Sequence, residues 1–126
     1  MTMKKIISTD LAPKAIGPYS QATEANGTIY ISGQLPINPK TGEMPSDIQA
    51  QTRQALENTK AILESQGLTM ENIVKATVLL DKIEDFGAMN EVYAEFFPTN
   101  PPARAAFEVA NLPKAALVEI ESIAAR

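Results

Sequence analysis

The chain has 126 residues, 44% hydrophobic and 21% charged, a balance that suits one globular domain over residues 1–126 and excludes a disordered chain. Eleven basic against fifteen acidic residues leave a net charge of −4, with the basic residues scattered singly apart from Lys4-Lys5, which argues against nucleic acid as the main partner. Histidine and cysteine are both absent, so a Ser-His-Asp triad, a thiolate nucleophile, a disulfide framework and a zinc held by either residue are excluded.

Acid–base chemistry near neutral pH must then fall to a carboxylate, a lysine, a tyrosine or the N-terminal amine. No apolar run approaches the roughly 18 residues of a membrane span. The stretch from Met1 to Asp10 carries two lysines but no apolar segment long enough for a signal peptide, so the expected compartment is the cytoplasm.

In chain order, Tyr19 to Glu24 and Ile29 to Gly33 flank Asn26-Gly27, a pair that tolerates the positive φ angles of a type I′ turn, and predict a β-hairpin. Pro36 to Pro45, with three prolines and Gly42, reads as a loop. Ser46-Asp47-Ile48-Gln49 fits a capping box, and Ile48, Thr52, Ala55, Leu56, Thr59, Ile62 and Leu63 recur at helical spacing, so a helix is expected from Asp47 to Gln66, ended by Gly67. Val74, Ala76, Val78 and Leu80 alternate as a strand does. A second helix from about Ile83 to Phe97 carries Phe86, Met89, Tyr93, Phe96 and Phe97 on one face and stops at Pro98. Strands at Ala103 to Val109 and Leu117 to Ala124 are separated by a turn at Leu112-Pro113-Lys114. The order β-β-α-β-α-β-β predicts an α+β mixed sheet with both helices on one face. An uncovered apolar face on the other side is a reason to expect oligomerisation.

Alternation sends Arg104, Ala106 and Glu108 to one side of their strand. An arginine with a small neighbour two residues on has room to accept a carboxylate in its planar fork, or it is a surface cation that is paired or solvated. Glu119 and Glu121 share a strand face with Leu117, so apolar neighbours can raise a carboxyl pKa there, unless the face is simply solvated. Tyr19 and Tyr30 could orient a ligand or pack. Asn90 flanks the second helix's apolar stripe, where a structural hydrogen bond is its ordinary use. Ser32-Gly33 permits close approach to the main chain or merely turns it. No dinucleotide, phosphate-loop or calcium-loop pattern occurs.

Taken together, Ala15-Ile16-Gly17-Pro18-Tyr19-Ser20-Gln21, Ile31-Ser32-Gly33-Gln34-Leu35-Pro36, Asn90-Glu91-Val92-Tyr93, Pro102-Ala103-Arg104, Leu112-Pro113-Lys114 and Val118-Glu119-Ile120-Glu121 closely resemble the RidA (YjgF) family of enamine/imine deaminases. The resemblance runs nearly end to end. It implies a chorismate-mutase-like fold, a homotrimer with active sites between subunits, and imino or keto acids as ligands. It further implies that Arg104 binds the substrate carboxylate and Glu119 orients water, with Tyr19, Ser32, Gly33 and Asn90 lining the cleft. The family often has a cysteine where this chain has Ala106, so only the backbone carbonyl of Ala106 can hold water here.

The implied reaction converts 2-aminoacrylate or 2-aminocrotonate, through 2-iminopropanoate or 2-iminobutanoate, to 2-keto acids and ammonia, which would protect enzymes that use pyridoxal phosphate. An imine carbon is already electrophilic, so no metal or other cofactor is called for. Two other readings use the same chain. One is a trimer that binds 2-keto acids for regulation without turnover. The other is an endoribonuclease or translation inhibitor, against which the charge and the missing histidine both argue.

Overall fold

Residue alternation decides which way each strand of this protein faces, and a computed structural model describing residues 3–126 shows the outcome. Met1 and Thr2, the start of the stretch read above for a signal peptide, lie outside the described residues. The strands are β1 (Lys5–Ile7), β2 (Ala22–Ala25), β3 (Thr28–Gln34), β4 (Ile73–Leu80), β5 (Ala103–Glu108) and β6 (Val118–Ala125), with helices α1 (Ile48–Glu64) and α2 (Phe86–Phe96). They form one sheet in the order β1-β2-β3-β6-β4-β5, antiparallel throughout except for the β4–β5 pair. Parallel neighbours need a crossover, and α2 supplies it.

The α+β layout therefore matches the expectation, with one added element. β1 is a three-residue edge strand, too short to show an alternating pattern, and a long loop separates it from β2. Asn26 and Gly27, at φ 53° and 78°, make the tight hairpin between β2 and β3.

Helix α1 lays Thr52, Ala55, Leu56, Thr59, Ile62 and Leu63 on the sheet, all buried. The two threonine hydroxyls donate one turn back, to Ile48 O at 2.7 Å and Ala55 O at 3.2 Å, which removes the cost of burying them. The cap is Asp47 rather than Ser46: its carboxylate accepts from Ala50 N at 2.8 Å. Gly67, at φ 73°, lets Leu68 N reach back to Leu63 O at 3.0 Å and closes the helix. Helix α2 is preceded by a short 3-10 turn at Ile83–Asp85, so it begins later than its apolar pattern predicts.

Ile73, Ala76, Val78 and Leu80 of β4 point into the core with Val118, Ile120 and Ala124 of β6. The predicted strand is there, but Val74 leaves the phase of Ala76, Val78 and Leu80, because a register shift between Ile73 and Lys75 turns it out to solvent. The other face of the sheet carries no helix among the described residues. A row of Ile6, Thr23, Tyr30, Ile123, Lys75 and Ala103 crosses it from edge to edge. Ile6, Tyr30 and Phe107 stand exposed there, which is the open apolar face that the strand patterns foretell.

Candidate active site

The ladder fixes where the candidate side chains go. Arg104 pairs with Ala76, which pairs with Ser122, all on the helix-covered face. Glu119 pairs with Leu79, which pairs with Phe107, on the open face. Within one chain, Arg104 and Glu119 therefore point away from each other across the sheet. The candidate residues fall into two clusters.

The first cluster surrounds a cavity of about 630 Å³ beside the β3–β6 pair, lined by Lys14, Tyr19, Ser32, Gly33, Lys114, Glu119 and Glu121 among others. A register irregularity between Ile31 and Gln34 takes Ser32 and Gly33 out of the regular ladder. The loop in front is pinned by buried Gln21. Its amide nitrogen donates to the carbonyls of Thr9, Ala12 and Pro13 at 3.0, 3.3 and 2.8 Å, and its oxygen accepts from Thr9 N at 2.7 Å. The Ser32 hydroxyl donates to Ser20 O at 2.6 Å, so it ties the segment before β2 to β3. Tyr19 stands largely exposed at the rim.

Gly33 gives Glu119 its seat. A Cβ at position 33 would lie 2.9 Å from the Glu119 carboxyl carbon and collide with one of its oxygens, so any side chain here would displace the acid. The glycine is required for space rather than for φ. Burial pushes the Glu119 carboxyl above its ordinary range, and the neighbouring charge of Glu121 pushes it the same way. A carboxyl in that state can carry a proton nearer to neutral pH than a solvated one.

The second cluster sits under α2 at the sheet edge. Arg104 Nη1 donates to Asn90 Oδ1 at 2.6 Å. Its guanidinium carbon lies 4.7 Å from the centre of the Tyr93 ring and 5.3 Å from that of Phe86. Among the described residues no carboxylate pairs with it, which removes the surface-salt-bridge reading. Burial raises the Tyr93 phenol pKa, with the Arg104 charge opposing. Ala106 follows on the same face, partly buried against the core. Arg104, Asn90 and Ala106 do not line the cavity that holds Tyr19, Ser32, Gly33 and Glu119. Phe86 and Tyr93 read in the sequence only as core positions of a helix, since nothing in its spacing says that an arginine lies over them. Lys14 and Lys114 carried no signal of their own.

A one-sided α+β sheet with a half-buried carboxyl in a cavity of small-molecule size defines a small ligand-binding or hydrolytic protein. The family model described as endoribonuclease L-PSP matches residues 9–126, and the chain belongs to this family, the one its sequence blocks resemble under the name RidA (YjgF). It is 56% identical over 123 residues to a RutC family protein of Pyrococcus horikoshii, covering 97% of this chain and 98% of that one. It is 50% identical over 127 residues to the 2-iminobutanoate/2-iminopropanoate deaminase of Escherichia coli K12, covering 98% and 99%. The crystal structure of the yjgF gene product from E. coli superposes with a TM-score of 0.94 at 50% identity, covering 97% of this chain and 98% of that one.

Two outcomes test the seat of Glu119. Its folded pKa is raised, so the contribution of Glu119 to stability should fall as pH climbs from the ordinary carboxylate range through that raised pKa. Glu119→Gln should escape this loss, melting at or above the parent near neutral pH and level with it at about pH 4, where both side chains are neutral. Parallel melting curves across that range would contradict it. Gly33→Ala should swing the flexible Glu119 carboxyl aside at a cost under about 1 kcal/mol by urea unfolding and abolish the pH-dependent difference between the parent and Glu119→Gln, and a preserved difference would contradict the seat.

Proposed function

We propose that this protein hydrolyses 2-imino acids such as 2-iminopropanoate and 2-iminobutanoate to 2-keto acids and ammonia, acting as a single-domain cytoplasmic homotrimer. The observation that carries the reading is Glu119, a half-buried carboxyl with elevated proton affinity facing a cavity of small-molecule size, in a chain without histidine or cysteine. The relative named for this deaminase, matched at 50% identity over nearly the whole chain, supports the substrate class.

Arg104 then grips the substrate carboxylate by parallel hydrogen bonds from its fork. Water held by Glu119 adds to C2 of the protonated imine, forming a C–O bond while the electron pair of C=N moves to nitrogen. The proton taken by Glu119 passes to the amine of the resulting carbinolamine. Ammonia leaves as the C–N bond breaks, and loss of the remaining hydroxyl proton yields the keto acid. No covalent link to the protein is needed, because the imine carbon is already electrophilic and the protein's part is orientation and proton transfer.

Arg104 and Glu119 lie on opposite faces of one chain's sheet, so the reading requires two copies. The β5 edge of one subunit, with Arg104 and Asn90, would close the cavity of the next, with Tyr19, Ser32, Gly33 and Glu119 on the other wall and the Ala106 carbonyl available to water. Repetition of such a head-to-tail contact around a threefold axis gives a closed trimer and covers the apolar open face.

The test is turnover of 2-iminopropanoate, generated in situ by an amino-acid oxidase. Arg104→Ala and Glu119→Gln should each fold and each retain less than about one-hundredth of the parent kcat/KM. Near-parental rates in Arg104→Ala would remove the carboxylate grip, and in Glu119→Gln the proton carrier.

A further inference from the structure

The guanidinium of Arg104 is held by one face of α2, a holding to which the reaction as described gives no task. Phe86, Asn90 and Tyr93 are spaced four and then three residues apart, so they stack along one side of the helix. Two of them present aromatic faces to the cation, at 5.3 and 4.7 Å, and the third accepts a single hydrogen bond from Nη1 at 2.6 Å. Tyr93 is itself steadied by Phe97, whose ring centre is 4.7 Å away with the planes tilted by 41°.

We propose that Phe86, Asn90 and Tyr93 are positioning residues that set the Arg104 fork for a carboxylate and leave its charge uncancelled. This rests on the assignment of Arg104 as the carboxylate grip. An acidic partner would hold the arginine equally firmly, but it would neutralise the cation and occupy the donors the substrate needs. Aromatic faces attract the cation through the ring and take none of its N–H groups. Asn90 takes one donor and brings no charge. The Nε–Nη2 edge, without a partner among the described residues, is left for two parallel bonds to a carboxylate. Asn90 thus acts on the arginine, fixing Nη1 through its side-chain oxygen.

The Tyr93 hydroxyl is buried and has no hydrogen-bond partner among the described residues, so the ring and not the hydroxyl is assigned the positioning. That separates the variants. In steady-state kinetics on 2-iminopropanoate, Tyr93→Leu should raise KM about fivefold, equivalent to about 1 kcal/mol, with kcat within about twofold of the parent. Tyr93→Phe, which keeps the ring, should match the parent in both constants. A parental KM in Tyr93→Leu, or equal impairment in Tyr93→Phe, overturns the proposal while leaving the grip intact if Arg104→Ala is inactive. An active Arg104→Ala overturns the grip and this proposal with it. Should Tyr93→Leu not fold, Phe86→Leu at the partly exposed margin carries the same expected rise in KM, and a parental KM there overturns the proposal.

Discussion

The constraint on which the molecule turns is the two-residue period of a pleated strand. Across the β5-β4-β6 ladder it sends Arg104, Ala76 and Ser122 under the helices and Glu119, Leu79 and Phe107 to the open face. One face is closed by α1 and α2 and becomes the core. The other keeps a row of mostly apolar residues, with Thr23 and Lys75 among them, and no helix over it among the described residues. A sheet built this way can bring its arginine and its carboxyl into one pocket only by using a second copy of itself. The geometry that separates the two groups within one chain is also what would make assembly a condition of activity.

Each half of the proposed site keeps one charged group ready in its own manner. Glu119 is partly withdrawn from water, close to Glu121, and seated against a backbone with no side chain at position 33, so its ionised form is disfavoured. Arg104 is steadied by two aromatic faces and one neutral amide, without an anion. The acid is tuned by desolvation and the cation by aromatic faces. On the proposed reading they would supply charge recognition and proton transfer in a chain that has neither histidine nor cysteine.

Much of the architecture was legible because local signals agreed with one another. The α1 stripe, the Asn26-Gly27 hairpin, the stop at Pro98 and the two C-terminal strands all stand where spacing and turn chemistry put them. The outward turn of Val74 is not legible because a bulge leaves no mark in the hydrophobic pattern, nor is β1 because three residues do not make a period. Arg104 on one side of its strand and Glu119 on one side of another were readable as faces. That these are opposite faces of the same sheet was not, since it depends on the β4 register between them. The link from Arg104 to Phe86, Asn90 and Tyr93 joins a strand edge to a crossover helix, and only tertiary structure makes that join.

The most direct measurement of shared assembly is complementation between two disabled chains. Arg104→Ala and Glu119→Gln subunits, each inactive alone, would be unfolded together, refolded at equal amounts and assayed on 2-iminopropanoate. If each site takes its arginine from one subunit and its carboxyl from the next, random assembly restores about a quarter of the sites, and activity returns to about that fraction of the parent. A mixture as inactive as its components, despite refolding into mixed oligomers, would contradict a site shared between copies.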